Sequence, residues 1–373
     1  MGAGDRFPSE RREFVDPDTG AAIVQLTDAP CINHAPYFLN LAWAVPEGGE
    51  RPSAGRAPGQ SCLIVTSYRD GGKPNLFAVD EASGEILQLT DTGDVNPWSA
   101  CVSRDGRHVL FGAGRELRVV ELATARSERV ALCSGDGRVD TCSLSPDGTE
   151  IVTSAFSGET VTHDRRNAVV AIRTDGSGSR TLYETGDFVG HAQFSPDGRQ
   201  VLFSGHLPRL WLVNRDGSNP HPLRGQTQQE WLTHESWLSD DEILFTHWPH
   251  ALKSIRRDGT GERTIAAFNC WHPAPRPDGG LIACDTTLPD SGLILIDPRT
   301  GARRTLCSPR ASGQGYQWAL PEPIWEGPTP EAAYGPQWTH PHPSFSPDGT
   351  KVAYTSDATG HPQVYFATVP SKP

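Results

Sequence analysis

The sequence predicts an all-β protein, a seven-bladed β-propeller whose ring is closed by the N-terminal strand completing the last blade. Three observations carry that prediction. A turn of the Ser-x-Asp-Gly kind recurs as SRDG (103–106), SPDG (145–148), SPDG (195–198), LSDD (238–241), RPDG (276–279) and SPDG (346–349), with a looser copy around Pro46–Gly49. Each turn leads into an apolar strand, a third strand and a polar hairpin such as IRTDGSGSRTLY (172–183), VNRDGSNPHPL (213–223) or IDPRTGARRTL (296–306). Four strands in about 40 residues are the dimensions of a propeller blade. The final unit stops after its third strand, VYFATV, and its missing hairpin ending, VDPDTGAAIVQLT, stands at 15–27. A β-helix or stacked sandwiches would not produce this complementarity between the two ends.

Composition fits one large β domain spanning 1–373. The chain carries 38 Gly and 32 Pro in 373 residues, with 36% hydrophobic residues, a balance that favours short strands and turns over long helices. Residues 1–14 read as a frayed, polar terminus with no apolar run of the signal-peptide kind. No stretch approaches the roughly 18 apolar residues of a membrane span. The eight cysteines are scattered without a C-x-x-C pair, the pattern of reduced thiols, so a cytoplasmic location is expected. A net charge of −12 argues against nucleic acid as a partner. An anionic substrate would therefore need a local positive site. Oligomeric state is not legible. Insertions fall at 49–60, 156–167 and 309–336, the last placed to lie near the channel mouth.

Blade register exposes the candidate site. Six residues before the aspartate position of each turn stand Ser99, Thr141, His191, His234, His272 and His342. Thirteen histidines scattered over the chain would not place four at one offset. The first strand of a blade is innermost, so these residues should line one mouth of the central channel. Before the last turn runs Gln337-Trp338-Thr339-His340-Pro341-His342, read as the start of a strand. Alternation would there point His340 and His342 to one face, with Cα atoms about 6.6 Å apart.

The chemistry follows from these residue types. His272, His340 and His342 supply imidazoles and Gln337 an amide oxygen, four neutral ligands that leave a divalent ion its full charge. The bland alternative is a satisfied turn histidine pair, and Cys270 could compete as a soft ligand. His234, in THESW, has no ligand-spaced neighbour and is the candidate base. His191 follows Gly190, a pair that also serves structurally in WD-type propellers. Arg209 opens a strand that starts near the same face. Glu235 and Asp285 could support these groups.

These motifs resemble the oligogalacturonate lyases, seven-bladed propeller enzymes of pectin breakdown. The resemblance is carried by QWTHPHPSFSPDG (337–349) with TSD (355–357), THESW (233–237), RLWLVNRDGSN (209–219), GHAQFSPDG (190–198) and His272, and more loosely by NHAPYF (33–38). It implies Mn²⁺, or another divalent ion, on Gln337, His340, His342 and His272, with His234 as base and Arg209 at the substrate. His191, His34 and Trp338 are expected to touch substrate, and Trp338, Trp271, Trp231 or Trp318 could stack on a sugar face. The implied reaction is β-elimination on a 4-linked oligouronate. A non-catalytic propeller scaffold and a metal-dependent hydrolase are the alternatives.

Overall fold

A computed structural model describes residues 1–45, 61–133, 138–157, 166–287, 289–313 and 339–370. The described residues form seven antiparallel sheets. Strands of blade 1 come from 33–88, blade 2 from 101–132, blade 3 from 138–185 and blade 4 from 190–222. Blade 5 uses 231–266 and blade 6 uses 274–307. Blade 7 takes 344–368 together with residues 12–25 from the other end of the chain.

Period-2 burial explains the ring. In the second strand of blade 5, Glu242–Trp248, Ile243 and Phe245 pack toward blade 4 while Leu244 packs toward blade 6. Lys351–Ser356 of blade 7 divides the same way, Val352 and Tyr354 toward blade 6 and Ala353 toward blade 1. A strand apolar on both faces must be covered on both, and the neighbouring blades cover it. Seven apolar clusters result, each joining two consecutive blades, with the last joining blade 7 to blade 1.

The turns are built alike. Ser103, Ser145, Ser195 and Ser346 each donate a 2.6 Å hydrogen bond to the aspartate two residues on. The glycine that follows adopts positive φ, 69° at Gly349, where a side chain would be strained. Arginines at matching offsets then reach the preceding blade's turn. Arg215 of blade 4 holds Asp147 at 2.8 Å, and Arg257 of blade 5 holds Asp197 at 2.8 Å.

Two expectations need correction. Residues 1–14 do not fray, because Arg6–Phe7 pairs with the outer strand of blade 1 and Arg12–Val15 pairs with Ala22–Gln25. Ring closure thus uses a hairpin: Ala22–Gln25 is the fourth strand of blade 7 and Arg12–Val15 a fifth. The segment around His340 is also not a strand, which begins only at Ser344. Pro341 and Pro343 lack the N–H groups a ladder needs. The looser turn at Pro46–Gly49 and most of the three insertions lie outside the described residues. Among these residues no helix is long and apolar enough to cross a membrane.

Candidate metal centre

Inner strands deliver the registered residues into the channel through local irregularities. The ladders of blades 4 and 5 shift register at Gly190/Gln193 and Thr233/Ser236. His191 and His234 occupy those bulges at φ 52°, and His342 has φ 46°. A β-bulge inserts a residue and re-aims its side chain, while a left-handed residue turns the backbone away from the strand path. Histidines that a regular strand would lay against a neighbouring blade therefore converge on the channel.

Donor atoms of His272, His340 and His342 lie within 4.8 Å of one another, and all three residues are buried. Their tautomers follow from their partners. Asp285 accepts from the His272 backbone N–H and from Nδ1, both at 2.7 Å, and from the His342 N–H at 3.3 Å. His342 Nδ1 donates to the His340 carbonyl at 2.9 Å. Nε2 of His272 and of His342 is thereby left as the lone-pair nitrogen. Burial, then neighbouring histidines, pushes the pKa of His272 and His342 well below 6.5, and burial lowers that of His340, so the rings stay neutral and able to ligate. Burial raises Asp285 to about 7, against the donors that favour its anion. Three neutral, convergent imidazoles with one backing carboxylate fit a divalent transition-metal ion.

His234 lies beside this cluster, its ring 4.3 Å from that of His272 and 4.3 Å from that of Trp271. Its Nδ1 has no hydrogen-bond partner among the described residues. Burial, followed by the charges of His272, His191 and Arg209, holds its pKa well below 6.5. Arg209 Nε is 3.8 Å from the fully buried Glu235, and Phe188 stacks on its guanidinium at 5.3 Å. His191 sits between Glu235 and His234, its ring 5.8 Å from that of His234.

Other calls fare differently. His34 does not join the histidine cluster: it is fully buried, with Nδ1 on the Ala35 carbonyl and its ring 4.3 Å from that of Trp98, whose own ring lies 4.9 Å from that of His342. The split of the strand that carries it is the reason. Asn33–His34 and Trp43–Ala44 pair with the same neighbour, and residues 35–42 leave the ladder opposite Ile64 and Val65. Gln337, Trp338 and Trp318 lie outside the described residues.

That excursion enters the channel. Phe38 packs on His234 and His272, Tyr37 on His191, His272 and His342, and Ser344 donates to the Asn40 carbonyl. Beyond it a cavity of about 200 Å³ is lined by residues 38–41 and, in blades 3 to 7, by residues two or three past the registered position, among them Gln193, Ser236, Ala274 and Ser344. Tyr37 and Phe38 were not singled out from sequence, because blade 1 has only a loose copy of the repeat that gave the other blades their register, and Trp98 was not because it stands one residue before the registered Ser99. The only signal was NHAPYF itself.

Fold and site together define a seven-bladed propeller with a histidine cluster, able to hold a metal ion, buried in its channel. No family model matches the chain. It is similar over its whole length to oligogalacturonate lyases. The oligogalacturonide lyase of Pectobacterium atrosepticum is 23% identical over 413 residues, and the oligogalacturonate lyase of Dickeya dadantii 24% over 408, each match covering 99% of both chains. A solved oligogalacturonate lyase in complex with manganese superposes with a TM-score of 0.81 at 23% identity, covering 100% of this chain and 99% of that one. The last comparison shows a shared fold.

Proposed function

We infer that this protein is an oligogalacturonate lyase, cleaving 4-linked oligogalacturonate or a related oligouronate by β-elimination to a 4,5-unsaturated product. The observation that carries the reading is the convergence of His272, His340 and His342 beside a fourth buried histidine, His234. The whole-length likeness to lyases of this class supports it. His272, His340 and His342 would hold the ion, Mn²⁺ in this reading, with Gln337 as a further ligand from the sequence. When bound, a divalent ion supplies positive charge that stabilises an anionic carboxylate gaining further charge.

The chain's own residues divide the remaining work. His234, kept neutral by burial, takes the C5 proton at its unengaged ring nitrogen. As the C5–H electron pair forms the C4–C5 double bond, the C4–O4 bond breaks, the departing oxygen takes a proton from water, and His234 returns its own to solvent. Arg209, steadied by Glu235, Thr233 and Phe188, presents a guanidinium to a substrate carboxylate and fixes the ring. Asp285 orients His272 and the His342 backbone. Eight free thiols are consistent with the cytoplasmic location this reading carries. The direct test is ultraviolet absorbance of the conjugated product, recorded on a panel of uronate oligomers with Mn²⁺ added. Absence of that absorbance on every oligomer refutes the reading.

A further inference from the structure

Glu235 is fully buried and lies outside the cluster of metal-binding histidines. A buried carboxylate is costly unless its charge is answered. Its Oε1 accepts from Ser204 Oγ and lies 3.3 Å from His191 Nδ1, while Oε2 faces Arg209. Ser204, His191 and Arg209 together answer the carboxylate from three sides. An anion at this position fixes the His191 proton on Nδ1. His191 Nε2 is then an acceptor, and the Tyr37 hydroxyl stands 3.0 Å from it.

This chain has a single polarity: Tyr37 donates to His191, and His191 Nδ1 donates toward Ser204 Oγ at 3.2 Å and Glu235 at 3.3 Å, because the Ser204 proton is itself given to Glu235. With its one proton engaged, the Tyr37 oxygen offers only lone pairs to anything else in the channel. Its ring lies 5.3 Å from that of His342 and 6.1 Å from that of His272, so the oxygen belongs to the same chamber as the histidine cluster. Tyr37 reaches that chamber only because residues 35–42 abandon the blade 1 ladder. A half-buried phenol polarised in this way can receive a hydroxyl but meets a carboxylate oxygen as acceptor against acceptor.

We propose that Tyr37 is a substrate-binding residue whose oxygen accepts a hydrogen bond from a ring hydroxyl of the bound uronate, with His191 and Glu235 as the positioning residues that set it as an acceptor. The proposal rests on the uronate lyase reading and adds to it the recognition of a neutral hydroxyl, separate from the carboxylate. Arg209 and the histidine cluster answer the negative charge. Tyr37 answers the sugar.

The experiment compares wild type, Tyr37→Phe, His191→Asn and the double variant on the same oligouronate, with Mn²⁺ content and thermal midpoint measured for each. Phenylalanine keeps the ring packing and removes the oxygen. Asparagine tolerates the positive φ of position 191 and is too short to reach Tyr37. Tyr37→Phe should lower kcat/KM about tenfold, with metal content and midpoint unchanged. The double variant should be no worse than the poorer single one, because both remove one contact. Wild-type kcat/KM in Tyr37→Phe, or losses that multiply in the double variant, would overturn the proposal while the lyase reading stands. A wild-type protein inactive on every oligouronate overturns both. If His191→Asn does not fold, Tyr37→Phe alone decides.

Discussion

His272 and His342 are each oriented by one neighbour, and that makes single substitutions informative. Asp285 engages both the His272 imidazole and the backbone of His342, so Asp285→Asn disturbs two ligands at once. We expect metal affinity to fall about 10–100-fold, read by Mn²⁺ titration. Retention of wild-type affinity would place Asp285 outside the support of the site. His234 differs in that its Nδ1 has no hydrogen-bond partner among the described residues. His234→Asn, which tolerates φ 52°, should keep its metal and lose about 10²–10⁴-fold in kcat. In wild type, kcat should fall with acid, since a protonated ring cannot accept the C5 proton. The midpoint of that fall should lie below pH 6.5, because burial depresses the pKa. A midpoint above 6.5, or near-normal kcat in the variant, would assign the base elsewhere. Residue types and register made His234, His272, His340 and His342 legible in the sequence. What was not legible is how they are aimed: a polar-apolar pattern records which residues are buried, not where a ladder bulges.

Whole blades hold together through a device the sequence repeats but does not announce. Arg215 and Arg257 each follow the third strand of their blade and bind the turn aspartate of the blade before. The turn aspartates were visible as the spacing rule, but their arginine partners sit one blade away, and only assembly brings them together. Asp197 tests the device. Burial works against its ionisation, yet hydrogen bonds from Ser195 and Arg257 lower its pKa to about 2. A depressed folded-state pKa contributes stability that is complete above the unfolded value, about 3.9, and is lost as pH falls through the folded one. Asp197→Asn should therefore cost about 1 kcal/mol at neutral pH, measured by urea denaturation. That difference from wild type should close as pH drops from about 4 toward 2. A deficit that persists unchanged at low pH would mean the aspartate acts by packing rather than by charge. Blade 1 shows the opposite case, in which its inner strand is broken by residues 35–42 and no repeat register could reveal where they go.

For the whole molecule the decisive joint is the one between its two ends. Closure was readable because the last unit lacked a hairpin ending that residues 15–27 possess; the additional strand at Arg12–Val15 was not, since its burial pattern is exposed throughout. Gln363 is the hub of the joint. Its Oε1 accepts from Thr27 Oγ1 at 2.7 Å and Asn33 Nδ2 at 3.0 Å, and its Nε2 donates to the Ala29 carbonyl at 2.7 Å. All of this lies beside the cluster in which Val24, Val364 and Phe366 pack against Leu63 and Phe77 of blade 1. Gln363→Ala leaves Thr27 and the Ala29 carbonyl without those partners in a buried place, and should cost about 1–3 kcal/mol by denaturant titration. Deleting residues 1–27 should do far more. It removes the fourth strand of blade 7, bares the edge of Gln363–Thr368 and opens the cluster that joins blades 7 and 1, so the product should aggregate. Deleting residues 1–8 removes the short pairing of Arg6–Phe7 with blade 1 and the packing of Phe7 on Phe77, but no strand of blade 7, and should give a soluble, active protein of lowered thermal midpoint. Chelation, by contrast, acts on the channel and leaves all seven inter-blade clusters in place; it should abolish turnover while the circular dichroism of the strands is retained. A soluble, cooperatively melting 28–373 fragment would show that six complete blades and a partial one suffice, and that the closure joint is dispensable.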